Sequence, residues 1–168
     1  MDFVFDYISV NTFWTILLIA HSLFAVTLLG ALTHQAVAVL APARGAGHGA
    51  GFVTRFRAVS GPRYVNAVCL LWAITFLLGA WIYTQFRIYV RIPIEQQGYW
   101  KTQGMFELKE HLVTFGLGLL PSYWYLWKNA HDSECDTARK WLTAWLAFTC
   151  WYAFLMGHIV NNVRGFGS

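Results

Sequence analysis

The chain has 168 residues, 57% of them hydrophobic and 12% charged, with mean hydropathy +0.45 and formal net charge +4. That balance excludes an ordinary soluble domain. The basic residues sit in short segments between apolar runs rather than on a dedicated face, which excludes a nucleic-acid-binding module. The expected fold is an all-α integral membrane four-helix bundle, up-down-up-down, forming a single domain over residues 1–168.

The opening "MDFVFDYISVNT" has two aspartates and no basic residue. The apolar run after it, about residues 13–41, is too long for the apolar core of a signal peptide, so it reads as a retained helix with Asn11 and Thr12 as its expected caps. Further spans are predicted at about 64–86, 108–127 and 141–163, each near or above the ~20 residues that cross a bilayer core. The connections "APARGAGHGAGFVTRFRAVSGPR", "RIYVRIPIEQQGYWKTQG" and "KNAHDSECDTARK" hold nearly all the charge and the Gly and Pro breakers, and read as loops. "GAGHGAG" reads as a flexible turn with His48 solvated.

Seven Lys and Arg fall on the side of the first and third loops, and five on the side of the second loop and the termini. By the positive-inside rule both termini are extracytoplasmic. Cys69 and Cys150 fall in spans and Cys135 in a loop, a spacing that gives neither a disulfide framework nor a Cys-x-x-Cys metal site.

Depth sorts the six histidines. His21 lies some way into the first helix, His111 just inside the third and His158 near the end of the fourth, so all three fall in the outer half of the bundle. Strongly polar residues in spans usually face the bundle interior, and neutral imidazoles from separate helices at one depth point to a shared ligand. Zinc would want a fourth ligand at that depth, and copper would favour thioethers, of which only Met105 and Met156 are internal. Haem b needs two imidazoles facing each other across a slot, which a four-helix bundle can build.

The first and third helices are diagonal in such a bundle, which favours His21 and His111 as axial ligands, although His111 and His158 are better matched in depth. His158 would then support a propionate or a quinone headgroup. Gly118 shares a helix face with His111, Thr114 and Phe115, where a porphyrin edge could approach the backbone. Lys109, Arg87, Arg91 and Arg164 are available at the outer rim to meet propionates. A second haem would need His34, thirteen residues or about 19.5 Å beyond His21 but turned through about 220°, with only His131 at its depth. One haem is therefore expected. No Cys-x-x-Cys-His occurs, so a c-type attachment is excluded.

"LLIAHSLFAVTLLGAL" and "FELKEHLVTFGLGLLP" carry a further signal, an early first-helix histidine and a third helix opening with a lysine. On these two stretches the chain resembles the small bacterial four-helix membrane proteins of the copper-resistance D and membrane protoporphyrinogen oxidase families. The resemblance implies a bacterial inner-membrane location and a haem or copper role carried by His21 and Lys109. The first helix ends in "LTHQAVAVL" and departs there from the oxidase pattern.

No hydrolase, dinucleotide-binding or P-loop signature is present, and "KEH" lacks the second histidine of a zincin helix. The expected function is a b-type cytochrome subunit passing electrons between the quinone pool and an extracytoplasmic partner, within lipid and beside other subunits of a redox complex. The alternatives are copper transport or haem-dependent porphyrinogen oxidation, and a cofactor-free scaffold subunit.

Overall fold

The computed structural model describes residues 9–43, 51–129 and 133–163. It is an all-α bundle built on long helices: α1 (Val10–Leu40), α3 (Val65–Phe86), α5 (Trp100–Lys128) and α6 (Asp136–Val163), with two short helices, α2 (Phe52–Arg57) and α4 (Ile92–Gln96), in the connections. Three stretches are long and apolar enough to cross a membrane: Val10–Leu40, Gly61–Gln96 and Ser133–Val163. Helix α5 is of similar length but carries Lys101, Glu107, Lys109 and Glu110 in its first half.

Several boundaries differ from the sequence expectations. The cap of α1 is Ser9, whose hydroxyl accepts from the Thr12 amide at 3.1 Å, and Asn11 and Thr12 lie inside the helix. Helix α5 starts eight residues before the expected 108, and the "RIYVRIPIEQQGYWKTQG" segment is mostly helical. A π turn at Arg87–Arg91 prolongs α3 into α4. The chain breaks only at Gly98, whose φ of +77° suits a residue without a side chain. Pro93 follows directly after the π turn, and the helical rod runs on through it to Gln96 instead of ending there. Of the "GAGHGAG" turn only Gly51 is described, as the cap of α2; His48, Arg44, His131 and Arg164 lie outside the described residues.

The long helices close a ring in which α1 packs on α3 and α6, and α5 packs on α6 and more lightly on α3. The main core, Leu28, Leu32, Val65, Val68, Trp72, Leu120, Tyr123 and Leu146 among others, fills the half of the bundle near the α1 C-terminus. Two glycines allow this close packing. The Trp72 ring lies where a side chain on Gly116 would stand, and its Nε1 donates to the Val113 carbonyl at 3.3 Å. Trp127 covers Gly61 in the same way and donates to Thr143 Oγ1 at 3.1 Å. A second cluster, Phe86, Val90, Ile94, Phe106 and Val160, closes the opposite end, with Phe86 and Phe106 stacked at 4.1 Å. Every buried residue of α1 lies at Leu28 or later, so its first half, which includes His21, is loosely packed.

Candidate functional site

His21 projects from this loosely packed half of α1 against α3. Its imidazole rests on Gly79, where a side chain would begin only 3.1 Å from Cε1, so that the ring would have to give by a few tenths of an ångström. One ring nitrogen faces the Thr75 backbone, while Nδ1 is buried and makes no hydrogen bond. The hydroxyl of Thr75 is likewise buried and unpaired. A buried polar atom without a partner costs roughly 1–3 kcal/mol, and among the described residues Gln103 Oε1 and Thr149 Oγ1 share this state with His21 Nδ1 and Thr75 Oγ1.

The Lys109 ammonium of α5 lies within electrostatic reach of the His21 ring and sits 4.2 Å from the centre of the Phe106 ring. Its own neighbour is Glu110, which in turn reaches the Tyr83 hydroxyl on α3. Thr75, Gly79 and Tyr83 follow one another at four-residue spacing and form one stripe of α3 facing the site. The sequence reading missed these three. A hydroxyl, a glycine and a phenol repeating every four residues in an otherwise apolar span is the signal that could have found them.

The rim is a set of ion pairs. Arg91 Nε bonds Glu95 at 2.7 Å and its other arm bonds Glu107 at 3.0 Å; Gln103 Nε2 donates to the same Glu107 oxygen at 3.1 Å. Arg91 would have to leave these carboxylates to meet a propionate. Arg87 is exposed and does not share this engagement.

The other expected ligands are not brought to His21. The His111 ring is exposed and its Nδ1–H donates to the Glu107 carbonyl of its own helix at 2.7 Å. Gly118 does share a face with His111, Thr114 and Phe115, as the spacing predicts, but that face is a shallow outward depression, with open space around Gly118. His158 is exposed on α6 and stacks on Phe154 with ring centres 5.7 Å apart. Among the described residues no three or more His, Cys, Asp or Glu gather as a metal-ion cluster.

His34 is committed to the protein at both nitrogens. Its Nε2–H donates to the Phe56 carbonyl at 2.7 Å, the Tyr64 hydroxyl donates to Nδ1 at 2.6 Å, and the ring stacks on Phe56 at 3.8 Å. As an axial ligand it would have to give up one of these bonds.

One imidazole, that of His21, and one ammonium, that of Lys109, lie in reach of each other here, which would meet only part of what a haem needs. The His21 ring lies near the Thr75 backbone, and its buried Nδ1 is without a hydrogen bond. Lys109 offers a cation in the same layer. The opposing imidazole from His111 does not fit, because its ring points out of the bundle. Comparison of the chain with known protein families, with curated proteins and with solved structures gives no match.

Proposed function

We propose that the chain is an electron-transfer subunit of a bacterial inner-membrane redox complex, holding one haem b in the loosely packed outer half of the bundle. All four long helices cross the membrane up-down-up-down in this reading, with both termini extracytoplasmic. The observation that carries it is the buried, unpartnered Nδ1 of His21 against Gly79, with Lys109 in reach. His21 would hold the haem iron through a ring nitrogen, and Lys109 would lie in reach of a propionate. The haem would supply one-electron chemistry, with quinol in the bilayer as the donor.

His111 and His158 favour neighbouring subunits. A strongly polar ring facing lipid is costly, so their outward faces are expected to be covered by protein in the assembly. If no cofactor is found, the same outward faces support the cofactor-free scaffold reading.

The purified protein tests this directly. Sharp α and β bands in a reduced-minus-oxidised spectrum, lost in His21→Ala, support the haem reading. A colourless preparation holding stoichiometric copper supports transport instead, and one holding neither supports a scaffold. His111→Ala then asks whether that imidazole takes part. Bands that survive it exclude His111 as a ligand, whereas bands that vanish would require α5 to turn that ring inward. Impermeant thiol labelling of Gln97→Cys and Ser133→Cys, in a background lacking the three native cysteines, checks the orientation.

A further inference from the structure

From the geometry of the connection between α1 and α3 we infer a binding ledge for an anionic phospholipid, built from α2 and the 3-10 turn Gly61–Tyr64. The ledge lies where two membrane-crossing helices meet the interface, α1 by its C-terminal end and α3 by its N-terminal end.

Its orientation is fixed from below. His34, on the last turns of α1, holds α2 through the Phe56 carbonyl and holds the turn through the Tyr64 hydroxyl, so one ring positions both segments. Arg57 tethers α2 a second time, donating from Nε to the Ala41 carbonyl at 2.5 Å and from Nη2 to that of Pro42 at 3.2 Å. Phe56 faces inward on His34. Phe52 packs on Phe56 from the preceding turn, with ring centres 6.0 Å apart, yet is 75% exposed; Val53 is 65% exposed, and Arg55 and Arg63 are exposed as well.

Among the described residues neither Arg55 nor Arg63 forms an ion pair. Between Asp6 and Glu95 the sequence has no acidic residue, and among the described residues the ion pairs are those of Arg91 and Arg139. Two exposed arginines and two exposed apolar side chains, on segments that the His34 ring holds together at the level of the headgroups, match a lipid that is phosphate at one end and acyl chain at the other. Arginine suits this task because its planar fork can meet two phosphate oxygens at once. Near an anionic leaflet each such residue contributes about five-fold to partitioning, so the pair gives about thirty-fold. The ledge does not depend on any cofactor in the bundle.

The test is native mass spectrometry of the full chain released from nanodiscs containing equal phosphatidylglycerol and phosphatidylcholine. Wild type is expected to retain phosphatidylglycerol in preference, and Arg55→Gln/Arg63→Gln to lose most of that preference with helix content unchanged by circular dichroism. Arg55→Lys/Arg63→Lys is expected to keep part of it. Should the double glutamine variant fail to fold, His34→Ala serves in its place, since it releases both segments while leaving the guanidinium groups intact, and a reduced preference supports the ledge. Equal retention of the two lipids by wild type overturns the inference and assigns the arginines to an acidic protein surface. A preference unchanged in the folded double glutamine variant overturns it too, because the selectivity then arises elsewhere.

Discussion

The most informative perturbation of the bundle is Tyr123→Phe. Gln35 on α1 is fully buried; its Nε2 donates to the Gly61 carbonyl at 3.0 Å, and its Oε1 accepts from the Tyr123 hydroxyl on α5 at 2.5 Å. These bonds join the diagonal helices α1 and α5 through the centre of the ring and fasten the turn before α3 as well. Removing the hydroxyl strands Gln35 Oε1 where no water reaches it. Unpaired buried acceptors cost about 1–3 kcal/mol in water-soluble proteins, and hydrogen bonds between membrane helices average about 0.6 kcal/mol with an upper end near 1.7. The dry surroundings place this bond toward the upper end, so a loss of about 1–2 kcal/mol is expected. Gln35→Leu is expected to cost more, because it strands both the Tyr123 hydroxyl and the Gly61 carbonyl. The double variant strands only the carbonyl, so it is expected to be more stable than the sum of the singles by about 1–2 kcal/mol, the coupling between the two side chains. Steric-trap unfolding in bilayer-like micelles measures all four proteins. Strictly additive losses would refute the central hydrogen bond and with it the account of how α1 and α5 are held.

Further outcomes follow from close approaches elsewhere. Gly116→Ala drives a methyl group into the Trp72 ring and is expected to destabilise by about 1–3 kcal/mol in the same assay. Gly118→Ala, two residues on, meets open space and is expected to leave the isolated chain unchanged or up to about 1 kcal/mol more stable, through helix propensity. Arg139 is buried and its guanidinium donates to the Leu126 and Asn129 carbonyls, at 3.2 and 3.1 Å, at the end of α5, while pairing with Asp136. Arg139→Met is expected to cost about 2–3 kcal/mol and to speed amide exchange in the last turn of α5. His34→Ala is expected to raise amide exchange across residues 52–57 while leaving the bundle core protected, read by hydrogen–deuterium exchange mass spectrometry.

The helical bundle was legible because long apolar runs separated by charged, Gly- and Pro-bearing segments have few other solutions. Boundaries were less legible where a charged first turn continues an apolar helix, as at Trp100 and Asp136. For the site, periodicity correctly grouped Thr114, Phe115 and Gly118 with His111, because spacing fixes which residues share a face. It says nothing of where that face points. The direction is set by Gly116, which lies about 140° around the helix from His111 and receives the Trp72 ring. Turning that glycine toward α3 sends His111 outward. His21 stands on Gly79 for a related reason, a small residue on α3 opposite a ring on α1, and that complementarity lies in two separate stretches that pattern reading takes one at a time.

The π turn at Arg87–Arg91 accommodates one more residue than a regular helical turn without breaking the rod. Chain length at this point therefore acts as a screw thread. Losing a single residue there would swing everything up to Gln96 by about 100°, taking Arg91 off Glu107 and Ile94 out of its cluster together. Insertions and deletions that a loop would absorb without effect would here unseat the rim of the bundle.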